Sequence, residues 1–409
     1  MKLVVNYILF LILISSSMFS KKLKEGNYRG VLLLNESEGI EVPFNFIVKY
    51  KGKNPTIIIS NAEERIFVDE ITIKGDSVNF KMPVFDTEFK TVLAGDSLEG
   101  VWINNYKTAN NTIKFKARYG ENKRFLFVPG KTNPLFEGRW EVSFSPETKD
   151  SSKAIGVLHH TEQTDYLTGT FLTETGDYRY LEGMRVGTKM YLSCFDGIHA
   201  YLFIAEFSGD HITGKFYSGA NWQETWTAKR NPDFELRDAE EISFVKNKDE
   251  KINFTFPDLE GKQISLSDKK FENKAIIVQV MGSWCPNCMD ESVYFSALYK
   301  HYNSQGLEIV ALAFERTTDF EKSRAQLIRL KNKLSINYPI LVTQQTGKDK
   351  ASEVLSALNA ITAFPTTIFL NKEHKVVKVH TGFNGPATVN EYEVYKQRTE
   401  SLIKNLLKE

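Results

Sequence analysis

Cysteine is scarce in this chain of 409 residues: there are three, Cys194, Cys285 and Cys288. So few cannot staple a disulfide scaffold, so apolar cores must hold the folds. An excess of charge of either sign is also lacking. Lys and Arg total 52 against 51 Asp and Glu. A balance that even gives no electrostatic reason to expect nucleic acid or an anionic membrane surface as the main partner. Beyond the N-terminus no segment approaches the ~18 apolar residues of a membrane-spanning helix. No phosphate-binding glycine loop, Ser/His/Asp arrangement or metal motif stands out. What remains is ordinary globular material, 42% hydrophobic and 25% charged. That excludes a disordered or collagen-like chain and suits two or three domains of about 150 residues each.

Met1–Ser20 has the layout of a secretory signal. Lys2 supplies a positive start, Tyr7–Ile14 an apolar run, and Ser15–Ser20 a small-residue stretch suited to cleavage. The run is short for a bilayer of about 30 Å, with an uncleaved N-terminal anchor as the alternative. No cysteine near the cleavage region offers a lipid acceptor. The expected location is periplasmic or otherwise extracytoplasmic.

From Leu23 to Arg230 short segments rich in β-branched and aromatic residues alternate with Gly, Asp and Asn punctuation. The stretch reads as a duplication. Gly26-Asn27-Tyr28 corresponds to Gly138-Arg139-Trp140, and Phe85-Asp86 to Phe195-Asp196. Gly95 to Gly100 corresponds to Gly209 to Gly214, and Ala117-Arg118 to Ala228-Lys229. Offsets stay at about 110 to 114 residues. Two all-β units are expected, 21–128 and 129–232, each a barrel or sandwich. The charge-dense stretch 233–252 reads as a linker. From 253 to 409 the rhythm changes to buried strands (Ala275–Met281, Leu307–Phe314, Tyr338–Val342, Thr366–Leu370, Val376–Val379) interleaved with helical patterns, an α/β unit.

Ser283-Trp284-Cys285-Pro286-Asn287-Cys288 falls where the first of those strands ends and a helix begins. Free amides and the positive end of the helix dipole stabilise an anion there. A thiol so placed loses its proton more readily than a free one of pKa about 8.5. Pro286 suits a first helical turn, where no amide hydrogen is needed. The exposed N-terminal Cys285 is expected to attack a substrate disulfide, and the deeper Cys288 to attack the resulting mixed disulfide. Structural zinc needs four ligands and only Cys194 remains as a third sulfur, so no metal is expected. A purely structural disulfide is the other reading. Trp284 offers an apolar surface for partner docking. Cys194 reads as a small buried hydrophobe.

Residues from about Phe254 to Glu409 resemble the TlpA-like thiol-disulfide oxidoreductases of the thioredoxin superfamily. The matching features are Phe256-Pro257-Asp258-Leu259, Gly282 to Cys288, and Phe364-Pro365-Thr366-Thr367. The resemblance implies a thioredoxin-like fold, with Pro365 as the cis-proline facing the cysteine pair and presenting backbone to substrate. It places Glu315 near an active-site glutamate of some members, able to handle the proton of Cys288. Two departures stand out. Gln279 replaces a buried acid and cannot accept a proton. Phe364 brings bulk where Thr or Val precedes the proline, and so shapes substrate choice.

The expected function is disulfide exchange on exported, disulfide-containing proteins. The Cys285–Cys288 pair is the only redox group needed, and no nicotinamide or flavin site is visible. The resemblance suggests a membrane thiol electron donor. Two alternatives stay open. One is a peroxiredoxin-like peroxidase, although Gly282 stands where that pattern wants Thr. The other is a cell-envelope binding protein whose β repeats carry the function.

Overall fold

The computed structural model of the chain describes residues 22–127, 136–160, 164–247 and 249–409. The Met1–Ser20 segment read as an export signal, and the junction between residues 128 and 129, lie outside them.

Alternating, half-buried segments pair with their chain neighbours and build two antiparallel sheets of nine strands each. In the first, strand Gly26–Asn35 pairs with the last strand, Thr112–Tyr119, with Gly30 opposite Ala117. In the second, Gly138–Phe144 pairs with Trp222–Arg230, with Val142 opposite Ala228. Each unit thus brings its first and last strands together. The second sheet also pairs Ser152–His160 with Tyr166–Thr173, which closes it into a barrel. Its interior is packed with Trp140, Phe144, Phe171, Phe203 and Trp226, all nearly inaccessible. Cys194 is buried in the same core.

The glycines of the repeated motif carry equivalent tasks. Gly95 and Gly209 turn the chain with φ of 66° and 67°. Five residues on, a neighbouring strand passes close. A Cβ at Gly100 would lie 2.0 Å from Lys90 O, and one at Gly214 would lie 2.6 Å from Ile204 O. Both positions exclude side chains for steric reasons.

The two units share apolar packing. Phe195, Ala200 and Leu202 of the second belong to the core of the first, and the rings of Phe44 and Phe195 stack with centroids 4.6 Å apart. Buried Arg124 sews the same junction, donating to Ser60 O at 2.6 Å and pairing with Glu182 at 2.8 Å.

The C-terminal unit has a five-stranded mixed sheet. Its strands are β1 (Ala275–Met281), β2 (Leu307–Ala313), β3 (Ile340–Val342), β4 (Thr366–Leu370) and β5 (Val376–Thr381). Their order is β3-β2-β1-β4-β5. β1, β2 and β3 run parallel, while β4 and β5 are antiparallel. Helices α1 (Pro286–Tyr302), α2 (Phe320–Leu334), α3 (Gly347–Val354) and α4 (Asn390–Lys408) complete it. β1 is buried along its whole length, as its apolar run demands. This is the thioredoxin-like arrangement that the resemblance implies. The charge-dense stretch before it is packed rather than loose. Asp238 caps a short helix, Ile242 and Ile252 are buried, and Glu240 pairs with Lys378 of β5 at 2.8 Å. The apolar residues set among its charges account for that anchoring.

Gly100→Ala forces the backbone of two adjacent strands apart, at a cost of about 1–3 kcal/mol. Urea denaturation should show that loss, and an unchanged midpoint would mean that the strands separate freely.

Candidate functional site: the Cys285–Cys288 centre

β1 delivers the chain into the redox centre. It ends at Met281, and Cys285 then caps the N-terminus of α1, with Pro286 in the first turn. The backbone N–H of Cys288 donates to Cys285 Sγ at 3.1 Å. That amide is one of the unpaired donors of the helix start, so it stabilises negative charge on Cys285 in the reduced state. In this structure the two sulfurs are joined as a disulfide. Cys285 Sγ also lies 3.5 Å from Phe364 O. The Phe364–Pro365 peptide bond is cis, and Phe364 shares the cavity wall with Cys285.

The exposed nucleophile expected from the sequence requires correction. Cys285 is 5% exposed and Cys288 0%. Cys285 lies in the wall of a half-open cavity of about 590 Å³, lined by all three units. The first β unit contributes Tyr106 and Lys107, the second Tyr178 and Tyr201, and the third Trp284 and Phe364. Trp284 and Phe364 meet edge to face at 5.4 Å, and Arg316 lies over the indole at 3.7 Å.

Glu315 is buried beside this cavity, but its carboxylate is committed elsewhere. It accepts from Ser283 N at 2.8 Å and Ser283 Oγ at 2.6 Å. Burial pushes its pKa up, against the pull of those two bonds. It therefore fixes the backbone that leads into Trp284 and Cys285, and contacts neither sulfur. Arg316 stacks on Trp284 rather than pairing with it.

The acid missed in the sequence is Glu291, on α1 one turn beyond Cys288. It is fully buried and accepts from Thr367 Oγ1 at 2.7 Å, Gln279 Nε2 at 2.8 Å and Tyr395 OH at 3.0 Å. Gln279 also reaches Cys288 O at 3.4 Å. The amide at the position of the usual buried acid is thus the partner of a second acid supplied by the helix. Burial raises Glu291 to about 7, although its three hydrogen bonds pull the other way. Its helical register was the available signal: i+3 from Cys288, on the face that also buries Ser292 and Phe295.

A second unexpected group is Arg179, from the second β unit. Its guanidinium donates to Pro286 O at 3.2 Å, inside the cysteine motif. It also contacts Asp290 of α1 and Glu64 of the first β unit, and lies 3.6 Å from Asp196. Beside it, Asn287 Nδ2 donates to Asp177 O and to Phe383 O, both at 3.2 Å. Gly176 permits that approach, since a Cβ there would fall 2.3 Å from Asn287 Nδ2. Among the described residues no cluster of His, Cys, Asp and Glu is arranged to hold a metal ion.

The raised pKa of Glu291 has a thermodynamic consequence. Between about pH 5 and pH 7 the unfolded chain has released this proton and the folded chain keeps it. This one group therefore lowers stability as pH rises, by at most about 1.4 kcal/mol per unit, and its contribution to the slope ends above pH 7. Glu291→Gln should flatten that fall in urea titrations at pH 5, 6 and 7. Identical slopes in variant and wild type would locate the proton elsewhere.

Comparison with known proteins bears on this geometry. Residues 248–379 match the AhpC/TSA family. The thiol-disulfide oxidoreductase ResA of Bacillus subtilis is 34% identical over 140 residues, covering 34% of this chain and 70% of that protein. ResA of Halalkalibacterium halodurans is 30% identical over 150 residues, covering 37% and 77%. A solved secreted thiol-disulfide isomerase from Corynebacterium glutamicum aligns with a TM-score of 0.32 at 20% identity, covering 43% of this chain and 98% of that one. Through its C-terminal unit the chain belongs to the TlpA- and ResA-like thiol-disulfide oxidoreductases of the thioredoxin superfamily, and it is an enzyme of that class.

Proposed function

We propose that the protein is an extracytoplasmic disulfide reductase acting on exported proteins through Cys285-Pro286-Asn287-Cys288. The observation that carries this reading is the Cys288 amide donating to Cys285 Sγ at a helix start, with that sulfur in a cavity wall. In the reduced enzyme the Cys285 thiolate attacks one sulfur of the substrate disulfide. A Cys285–substrate bond forms and the other substrate sulfur leaves as thiolate. Cys288 then loses its proton and attacks Cys285 Sγ, which releases the second substrate thiolate and closes the Cys285–Cys288 bond. Two electrons pass from the enzyme dithiol to the substrate. No cofactor is needed for that step.

Glu291, one turn beyond Cys288 on the helix and linked to it through Gln279, is the group assigned to take up the Cys288 proton. Glu315 positions the Ser283–Cys285 turn. Trp284, Phe364 and Pro365 form the surface against which substrate backbone lies. A membrane thiol carrier restores the dithiol. The export reading draws on Lys2 and the Tyr7–Ile14 run. No helix among the described residues is long and apolar enough to cross a membrane.

Cys285→Ser should abolish disulfide reduction. Cys288→Ser should accumulate mixed disulfides through Cys285, visible by mass spectrometry after alkylation. Trapping by Cys285→Ser and not by Cys288→Ser would reverse the two roles.

A further inference from the structure

The β units are not remote from the chemistry; they make most of the enclosure around the reactive sulfur. A volume of about 590 Å³ lies within the range of small-ligand sites, about 300–1,000 Å³. The cavity is half open, and Cys285 lies in its wall rather than on a flat surface. A few residues of extended chain can enter it.

Three charged side chains line this cavity, two cations and the carboxyl of Asp177. Lys107, from the first β unit, and Arg316, from the C-terminal unit, line it. Among the described residues neither has a carboxylate within ion-pair distance, whereas the acids nearby are all engaged. Asp177 accepts from the backbone N–H of Arg179 and of Gly385, both at 2.5 Å. Asp196 pairs with His199 at 3.0 Å. Glu315 is spent on Ser283. Trp102, also in the wall, has a buried indole N–H with no acceptor among the described residues. The cavity therefore carries two cations free of ion pairs among the described residues and one carboxyl held by backbone amides, with Tyr106 and Tyr201 also in its wall.

We propose that both β units form the substrate site of this enzyme, and that the site selects a short anionic cysteinyl peptide. The peptide is either free or the flexible segment of a larger protein. The inference rests on the reductase reading above and names its substrate class. Cys285 attacks the peptide disulfide and Cys288 resolves it, with the electron balance already given. Lys107 and Arg316 hold the carboxylates that flank the substrate cysteine.

The test uses the full chain, reduced beforehand and freed of reductant, so that one turnover needs no donor. Its oxidation is followed by stopped-flow tryptophan fluorescence or by quenched thiol counting. The oxidants are oxidised glutathione and three peptide disulfides: one flanked by Asp, one by Lys, and the Asp sequence carried in an unstructured tail of a folded protein. The Asp peptide should react about 5-fold or more faster than the Lys peptide at low salt, and added salt should compress the ratio. Lys107→Glu should lower the ratio further, and Arg316→Glu should do likewise. Glutathione matching the Asp peptide assigns a free substrate; a faster tail-borne sequence assigns a flexible protein segment. Equal Asp and Lys rates in the wild type, or a ratio untouched by salt and by both substitutions, would overturn the proposal. Absence of exchange with every disulfide would instead remove the reductase reading itself. The wild-type ratio and its salt dependence need no variant to fold.

Discussion

A single buried guanidinium fixes the geometry of the redox centre. Arg179 leaves the second β unit and meets Asp290 on the active-site helix, Glu64 on the first β unit and the carbonyl of Pro286 between the two cysteines. A charge taken out of water must be paired, and removing one partner of such a pair costs about 3–5 kcal/mol. The three units can therefore dock only in arrangements that satisfy Arg179. Burial among like charges pushes Asp290 up to about 7. Burial works in the same direction at Asp196, but His199 and Arg179 hold it down at about 2. The junction adds little net stability over an apolar contact. What it supplies is position: the start of the helix and the walls of the cavity are set by the same ions.

That positioning separates two tasks that both call for acids. Glu315 and Glu291 are buried glutamates a short distance from one disulfide. Glu315 gives both oxygens to Ser283 and orders the approach to Cys285. Glu291 sits among Gln279, whose amide donates to it, and Thr367 and Tyr395, whose hydroxyls serve either protonation state because a hydroxyl can turn from donor to acceptor. A carboxyl held near neutrality in such a setting takes and returns a proton at little cost. A carboxylate locked onto a backbone amide does not. Environment, not residue type, assigns the roles.

Much of this was legible in the sequence, and the reason is local. The strand Ala275–Met281, the helix start at Pro286 and the strand Thr366–Leu370 are written in apolar runs and in one proline, and each falls where the pattern puts it. The paired cysteines declare their chemistry by spacing. The paired motifs Gly95 to Gly100 and Gly209 to Gly214 revealed the shared plan of the β units because turn geometry and strand crowding leave few substitutes for glycine. The rest depends on contacts between segments far apart in the chain. Nothing near Arg179 announces that its partners are Glu64 and Asp290, more than 100 residues away on either side. The cavity that Cys285 faces was invisible for the same reason, since most of its wall comes from both β units. Glu315 was named because the family resemblance places it near an active-site glutamate, whereas Glu291, an acid inside a helix, reads as solvated surface until its face is known.

The two β units share a strand plan but not a task, and the difference explains how the cavity keeps its shape. The second closes on itself through Ser152–His160 and Tyr166–Thr173, and has a core of its own. The first draws Phe195, Ala200 and Leu202 of its neighbour into its core. Apolar burial of that kind, together with Arg124, makes the pair one support rather than two beads on a string. A reactive sulfur that is 5% exposed in its disulfide state needs such a support. If the walls swung independently, the surroundings of the sulfur would change with every movement. Held by these contacts, the two β units set the walls that Cys285 faces, while the helix start keeps the Cys288 amide aimed at the sulfur.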